Sequence, residues 1–156
     1  MIRFLLVAAL ALGLSACAVT LPPHPEARPF TAAPTATAAV DAALARAAVS
    51  NKRALLIFGY DACHDSRGLA GWFATPRFAA MLQSRYEIVW IDVGTDRTLN
   101  ADLAARFGVA PIVGTPTAVI AEPDGTVLNA ADAPGWRNAA SRSEEEIYGY
   151  FERWGG

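Results

Sequence analysis

Apolar residues fall into several short continuous runs, and each run predicts a buried β-strand. The runs at 54–58, 87–93 and 117–121 contain many β-branched and aromatic residues, which favour extended structure. The sequence Glu-Pro-Asp-Gly at 122–125 predicts a tight turn, because proline and glycine suit the backbone angles of such turns. Residues 126–128 are therefore predicted to pair with 117–121 as the second strand of a hairpin.

Between these runs, apolar residues recur every three or four positions, which predicts amphipathic helices. One helix is predicted at 38–50. The segment after the first strand contains two, because Thr75 and Pro76 are a typical N-cap and first helical residue. A further helix is predicted at 99–107. The last helix begins at 143–146, where Ser-Glu-Glu-Glu has the pattern of a capping box.

The order of these elements predicts the fold class. A strand–helix–strand unit needs a right-handed crossover and gives a parallel strand pair, whereas the final hairpin adds an antiparallel edge. The sequence therefore predicts one α/β domain over 38–156. This domain has a central mixed sheet flanked by helices, with an extra helix at its N-terminus.

Residues 1–17 have the organisation of an export signal. A charged start precedes an apolar run at 4–14, which is too short to span a bilayer comfortably. The run ends in Leu-Ser-Ala-Cys, which resembles the lipobox of bacterial lipoproteins. This resemblance implies a signal peptide whose Cys17 becomes the lipid-modified first residue, and Ala18 implies the periplasmic face of the outer membrane. An ordinary cleaved secretory peptide with an incidental cysteine is the alternative.

Residues 18–37 are rich in proline, alanine and threonine. Such a segment cannot bury enough apolar surface to fold alone, so it predicts a disordered tether between the membrane and the domain. The whole chain has a net charge of −2, which gives no reason to expect nucleic acid as a partner. The membrane is instead expected to hold the protein through the lipid anchor.

Cysteine usage narrows the candidate chemistry to one side chain. The chain contains two cysteines, and lipidation of Cys17 leaves Cys63 as the only thiol of the exported domain. An internal disulfide is then impossible, so Cys63 is free, capped by a small thiol or joined to another chain. Cys63 follows a predicted strand and begins a predicted helix, where unpaired backbone N–H groups stabilise a thiolate.

The strand, turn and Cys-x-x segment at 55–67 resemble the active-site segment of thioredoxin-like proteins. A second motif, Gly-Thr-Pro-Thr at 114–117, stands directly before a predicted strand. Members of the family carry a cis-proline there, beside the active-site cysteine. The resemblance covers about 55–124 and implies a thioredoxin-like fold, a cis bond at Pro116 and pairing of the Thr115 backbone with an incoming peptide. A trans proline that merely starts the strand is the alternative.

Three departures from the family pattern bear on function. Ser66 occupies the position of the second cysteine of Cys-x-x-Cys, and Ala62 stands where many members carry a tryptophan. Ile57 lies near the position of a buried acid in typical thioredoxins. A second cysteine normally resolves the mixed disulfide within the same molecule. The serine therefore predicts a mixed disulfide that persists until an outside thiol cleaves it.

The neighbours of Cys63 are expected to influence its ionisation in opposite directions. Ser66 can donate a hydrogen bond to the thiolate, and His64 adds positive charge when it is protonated. Asp65 opposes both, because a nearby carboxylate disfavours a second negative charge. The candidate catalytic residues are Cys63, Ser66 and Pro116, and the possible modulators are His64, Asp65 and Thr115.

The remaining residues offer weaker candidates for ligand contacts. His24 and His64 have no third and fourth ligand spaced nearby, so the sequence predicts no metal site, and no cofactor is expected. Among the four tryptophans, Trp136 is the one expected at an exposed contact, because it follows Pro-Gly in a polar loop.

Two functions of different classes stay open, and structural scaffolding at the membrane is a third. In the first, Cys63 forms mixed disulfides with exported proteins or small thiols, as a thiol–disulfide oxidoreductase without its resolving cysteine. In the second, the domain is a non-catalytic module that binds a peptide or partner beside Pro116, and the cysteine is a remnant. Whether the protein is an enzyme depends on the reactivity of this thiol.

Overall fold

Strand β1 (Arg53–Gly59) is the centre of a three-stranded sheet in the computed structural model, which describes residues 24–32 and 35–156. Strand β2 (Tyr86–Asp92) pairs with β1 in parallel, and β3 (Thr117–Ala121) pairs with it antiparallel. The order in the sheet is β2-β1-β3. This mixed sheet confirms the predicted α/β fold class.

Helices flank the sheet on both faces, and an extra helix precedes the first strand, as predicted. In chain order they are α1 (Thr37–Ser50), α2 (His64–Phe73), α3 (Pro76–Arg85), α4 (Ala101–Arg106), a 3₁₀ segment (Ala133–Ser141) and α5 (Glu144–Trp154). The break between α2 and α3 lies where Thr75 and Pro76 predicted it. The loop before β3 and the turn before α2 both lack regular structure.

Side chains of β1 alternate between two hydrophobic clusters, because successive residues of a strand point to opposite faces of a sheet. Leu56 and Phe58 pack with residues of α1 and α4, whereas Leu55 and Ile57 pack with residues of α2, α3 and α5. All four side chains are fully buried. A strand covered on both faces explains the continuous apolar run of the sequence.

Helix α5 begins at the capping box that the sequence predicted. The Glu146 N–H donates to Ser143 Oγ at 3.3 Å, and the Ser143 N–H donates to the Glu146 carboxylate at 2.8 Å. The start of α3 differs in one respect. The Thr75 hydroxyl donates to the Trp72 carbonyl of α2 at 2.8 Å instead of capping α3, so it ties the two helices together at their junction.

The predicted hairpin partner at 126–128 is not a strand. Pairing beyond the turn is reduced to a single bridge between Ala121 and Val127. The buried Asn129 takes the place of a continuing ladder, because its side-chain amide makes hydrogen bonds of 2.8 Å to two backbone groups of β3. The predicted hairpin pairing is confirmed at this bridge, where the Leu128 N–H donates to the Ile120 carbonyl at 2.8 Å, but the pairing does not extend into a fourth strand.

Residues 24–32, here called the N-terminal segment, pack along the domain although they lie within the predicted tether. Phe30 is 6% exposed, and its ring meets the Trp90 ring edge-on at a centroid distance of 5.2 Å. The Ala27 N–H donates to the Arg67 carbonyl of α2 at 3.1 Å. One buried aromatic ring and backbone hydrogen bonds thus hold this part of the chain on the domain, which its proline-rich composition did not predict.

The predicted lipidation site, Cys17, lies outside the described residues. Within the described part of the chain, no helix is long and apolar enough to cross a membrane. Even α1 has only 14 residues, whereas the hydrocarbon core of a bilayer needs a helix of about 20.

Trp136 was expected at an exposed contact, but it is only 1% exposed. Its ring lies 4.8 Å from that of Tyr150 and 4.7 Å from that of Phe151, both on α5. The guanidinium group of Arg142 covers it at 4.4 Å. The prediction from loop composition was wrong because the 3₁₀ segment carries this side chain into the core.

We expect Gly71 to be required for the seating of the N-terminal segment. A Cβ atom at Gly71 would overlap the Pro25 carbonyl, which passes directly over α2. The substitution Gly71→Ala should lift the segment and increase amide hydrogen exchange in residues 24–32.

The matched control is Gly149→Ala in α5, where no atom lies within 4 Å of the added Cβ. This control should leave exchange in the segment unchanged and stabilise α5 by about 0.5–1 kcal/mol. Unchanged exchange in both variants would contradict the described packing of Pro25 on Gly71.

Candidate functional site

The turn after β1 places Cys63 at the N-terminus of α2. The Cys63 N–H donates to the Tyr60 carbonyl at 3.1 Å, which closes the turn. The Cys63 carbonyl accepts from the Arg67 N–H at 3.0 Å, which is the first hydrogen bond of the helix. Cys63 is the N-cap residue, with extended backbone angles (φ −77°, ψ 124°). The thiol of this half-buried residue therefore lies at the N-terminal, positive end of a ten-residue helix.

The loop before β3 lies against this thiol. The Cys63 thiol donates to the Thr115 carbonyl, with a distance of 3.3 Å between Sγ and oxygen. The Thr115–Pro116 peptide bond is cis, as the resemblance implied. Ala110–Pro111 is also cis, which no motif in the sequence predicted. The structure thus brings together Cys63, Thr115 and Pro116.

The register of the sheet explains why these distant residues meet. Phe58 of β1 is paired with Thr117 of β3 in the antiparallel ladder. The end of β1 therefore lies beside the start of β3. The turn leading to Cys63 follows the first of these residues, and Pro116 directly precedes the second.

The Ser66 hydroxyl forms no hydrogen bond with the Cys63 thiol, although the sequence made such a bond to a thiolate possible. Its side chain is fully buried and lies close to Gly59, as the ring of Phe30 also does. An ideal Cβ on Gly59 would lie 2.7 Å from Ser66 Oγ and 2.6 Å from a ring carbon of Phe30. Within the described residues, the Ser66 hydroxyl has no hydrogen-bond partner. The position three residues after the cysteine faces the interior, where the N-terminal segment closes the space around it.

The two predicted charged modulators have partners other than the thiol. Asp65 accepts a hydrogen bond from the Ala140 N–H at 2.9 Å, so it joins the end of the 3₁₀ segment to α2. The His64 side chain is 61% exposed, and its Nδ1 lies 3.3 Å from a carboxylate oxygen of Glu26 in the N-terminal segment. Asp65 thus has a structural partner, and His64 faces the segment.

Arg67 holds the N-terminal segment against the turn that carries the cysteine. Its Nε donates to the Glu26 carboxylate at 2.9 Å, and its Nη1 donates to the carbonyls of Asp61 and Ala62 at 3.2 and 3.0 Å. The hydrogen bond from Arg67 lowers the pKa of Glu26, and the same pairing raises the pKa of Arg67. Sequence reasoning gave Arg67 no role, because its partner lies 41 residues upstream in a stretch assigned to the tether.

The fold also gathers three metal-ligating side chains that are separated in the sequence. Nε2 of His24 lies 3.1 Å from Nε2 of His64, and their rings meet edge-on with centroids 4.6 Å apart. One ligand atom from each of His24, Glu26 and His64 lies within 4.8 Å of the other two. The spacing of these residues in the sequence indicated no third metal ligand. The packing of the N-terminal segment brings Glu26 beside the two histidines.

The chain is similar both to a protein family and to a solved structure. A family model described as Thioredoxin-like matches residues 35–123, which is more than half of the chain. The chain belongs to the thioredoxin-like family. Among solved structures, a disulphide isomerase from Xylella fastidiosa Temecula1 is similar, with a TM-score of 0.74 and 29% sequence identity. The match covers 81% of this chain and 96% of that one, whereas the curated proteins contain no match.

This thioredoxin-like protein shares its fold with a disulfide isomerase, which indicates thiol–disulfide exchange in general as the associated activity. The position of Cys63 agrees with that activity. Its thiol lies at a helix N-terminus, and a cis-proline follows the residue whose carbonyl accepts its hydrogen bond. Nucleophilic attack on a disulfide requires the thiolate form of a cysteine.

We expect Ser66→Ala to leave the reactivity of Cys63 unchanged. The Ser66 hydroxyl forms no hydrogen bond with the thiol, so its removal should not alter the rate at which iodoacetamide alkylates Cys63. The free energy of unfolding should rise by about 1 kcal/mol, because a buried hydroxyl without a partner is destabilising.

Ser143→Ala is the matched control, since it removes a hydroxyl that accepts a hydrogen bond at the start of α5. It should lower the free energy of unfolding by about 1 kcal/mol without changing alkylation. A marked slowing of alkylation in Ser66→Ala alone would mean that the hydroxyl does reach the thiolate. Mass spectrometry and denaturant titration measure the two quantities.

Proposed function

We propose that this protein is a lipid-anchored member of the thioredoxin-like family that exchanges disulfides in the cell envelope through one thiol, that of Cys63. The observation that carries the proposal is the placement of this thiol at the N-terminus of α2, 3.3 Å from the Thr115 carbonyl. Exported proteins or small thiols are the proposed partners. The periplasmic face of the outer membrane is the proposed location.

The proposed exchange begins when the Cys63 thiolate attacks one sulfur of a substrate disulfide. A bond forms between Cys63 Sγ and that sulfur while the substrate S–S bond breaks. The second substrate sulfur leaves as a thiolate and takes a proton from water. Because Ser66 replaces the resolving thiol, the mixed disulfide lasts until the thiolate of another molecule attacks it and releases Cys63. The number of disulfides is unchanged after the two steps, so the cycle needs no oxidant or reductant.

The loop before β3 has two roles in this proposal. Pro116 forms the wall of the groove beside the cysteine, and the Thr115 carbonyl is the acceptor within the groove. In the resting protein the Cys63 thiol donates to that carbonyl. Ionisation of the thiol removes this donor, so the carbonyl becomes free to accept a hydrogen bond from the backbone of a bound peptide.

A non-catalytic module that binds a peptide beside Pro116 is the second candidate. Ser66 favours it, because the position of a resolving thiol is occupied by a fully buried hydroxyl side chain. Both candidates use the same groove. They differ in whether the Cys63 thiol reacts with a disulfide in the folded protein.

The reaction of the folded protein with oxidised glutathione separates the two candidates. In a Cys17→Ser background, Cys63 should form a mixed disulfide that intact mass spectrometry detects and that reductant removes. The variant Cys63→Ser should show no adduct. An adduct that appears only after denaturation would establish the binding module instead.

We expect Ser66→Cys to create a dithiol cycle and to raise the rate of insulin reduction, with dithiothreitol as the reductant, by about tenfold or more, because an intramolecular step replaces a bimolecular one. The control is Ser50→Cys, which adds a thiol at the end of α1, beyond the opposite end of β1 from Cys63. That variant should show no gain. If Ser66→Cys forms no disulfide with Cys63, the turn does not hold the two sulfurs within bonding distance.

Membrane attachment through Cys17 is supported by the Leu-Ser-Ala-Cys ending of the apolar run at 4–14. Replacing Cys17 with Ser should shift the protein from the membrane fraction to the soluble fraction, or leave an unprocessed precursor. Cys63→Ser is the matched cysteine control and should fractionate like the unmodified chain. Membrane association that survives the loss of Cys17 would exclude the lipid anchor.

A further inference from the structure

We infer that His24 and His64, with Glu26 as the supporting carboxylate, form a binding site for one divalent transition-metal ion of the Zn²⁺ type. The site joins the N-terminal segment to the first residue of α2. It goes beyond the proposed function and does not rest on it, since no step of the inference uses the Cys63 thiol.

The two histidine rings point nitrogen atoms at each other across the junction. Nε2 of His24 and Nε2 of His64 are 3.1 Å apart. An ion with tetrahedral geometry and metal–nitrogen bonds of about 2.05 Å holds two such nitrogens about 3.3 Å apart. The rings therefore need only a small adjustment to coordinate one ion between them.

The opposite nitrogen of each ring faces an oxygen that only accepts hydrogen bonds. Nδ1 of His24 lies 3.3 Å from the Pro25 carbonyl, and Nδ1 of His64 lies 3.3 Å from a Glu26 carboxylate oxygen. In the tautomer that carries its proton on Nδ1, each ring can donate to its oxygen partner, and its Nε2 lone pair is then available to a metal ion. The two Nε2 atoms that face each other can thus both bind one ion placed between them.

Glu26 occupies the position that a carboxylate takes behind a metal-bound histidine. It holds the Nδ1–H of His64, which fixes the ring and increases its basicity, and its charge offsets that of the ion. Arg67 binds the other carboxylate oxygen of Glu26 at 2.9 Å. Arg67 and His64 thus hold the two carboxylate oxygens of Glu26 from different sides.

The backbone around His24 packs closely against the glycine residues of α2. Gly68 and Gly71 lie one turn apart on α2, and each would contact the N-terminal segment if it had a side chain. A Cβ on Gly68 would lie 3.2 Å from His24 Nδ1, and one on Gly71 would overlap the Pro25 carbonyl. The position of His24 over α2 is thus determined by close packing and not only by its contact with His64.

The donor set indicates the class of metal. Imidazole nitrogen with a nearby carboxylate suits Zn²⁺, Cu²⁺ and Ni²⁺ better than Ca²⁺ or Mg²⁺, which prefer oxygen ligands. The His64 side chain is largely exposed, so solvent molecules can complete the coordination of the ion. The chain contains only two histidines, so both are committed to this one site.

The test is a Zn²⁺ titration followed by calorimetry, on the full chain carrying Cys17→Ser and Cys63→Ser. This background contains no thiol, so failure of the thiol chemistry and failure of the metal site give separate results. One Zn²⁺ per chain should bind. His24→Ala and His64→Ala should each abolish binding, and Glu26→Gln should weaken it about 10- to 100-fold. Asp124→Asn, which alters an exposed carboxylate in the turn after β3, should have no effect.

NMR of the histidine rings keeps the test independent of any loss of folding in the variants. Without substitution of either histidine, Zn²⁺ should shift the ring signals of both residues with the same dependence on concentration. The inference is overturned if Zn²⁺ does not bind, if only one ring responds, or if binding survives the loss of either histidine. In the last case, surface carboxylates alone would account for the binding.

Discussion

The antiparallel pairing of β1 with β3 is the constraint on which the candidate site depends. β1 is paired on both edges, and its inner side chains are fully buried on both faces. Burial of each large apolar side chain contributes about 1.5–3 kcal/mol. A shift of one residue in register would turn all of them to the wrong face. The same register sets Thr115 beside Cys63, so the stability of the core and the geometry of the thiol have one cause.

The N-terminal segment explains how a thioredoxin-like fold accommodates a single thiol. Phe30 and Ser66 are both buried and both lie close to Gly59 at the end of β1. A serine at this position has no acceptor to reach, and its hydroxyl is buried without a partner among the described residues. In the proposed function Cys63 acts alone, so exchange would proceed through a mixed disulfide and not through a dithiol cycle.

The segment also gives the N-terminus of α2 two chemically distinct faces. On one face the Cys63 thiol meets the Thr115 carbonyl. On the other, His64 meets His24 and Glu26, which Arg67 holds in place. In the two proposals a disulfide substrate reacts with the Cys63 sulfur, whereas a metal ion of the Zn²⁺ type binds the histidine nitrogens, so the two use different atoms.

The sequence by itself determined the features that depend on neighbouring residues. Strand periodicity, the capping box at Ser143, the cysteine at a helix start and the proline before β3 all follow from patterns only a few residues long. Only the tertiary structure decided the burial of Ser66, the packing of the N-terminal segment and the meeting of His24 with His64. These features join distant parts of the chain, since His24 and His64 are 40 residues apart and Phe30 contacts Trp90 at a still larger separation. Whether a proline-rich segment packs or stays free depends on the complementary surface it meets, here the glycines of α2, and local composition does not encode that surface.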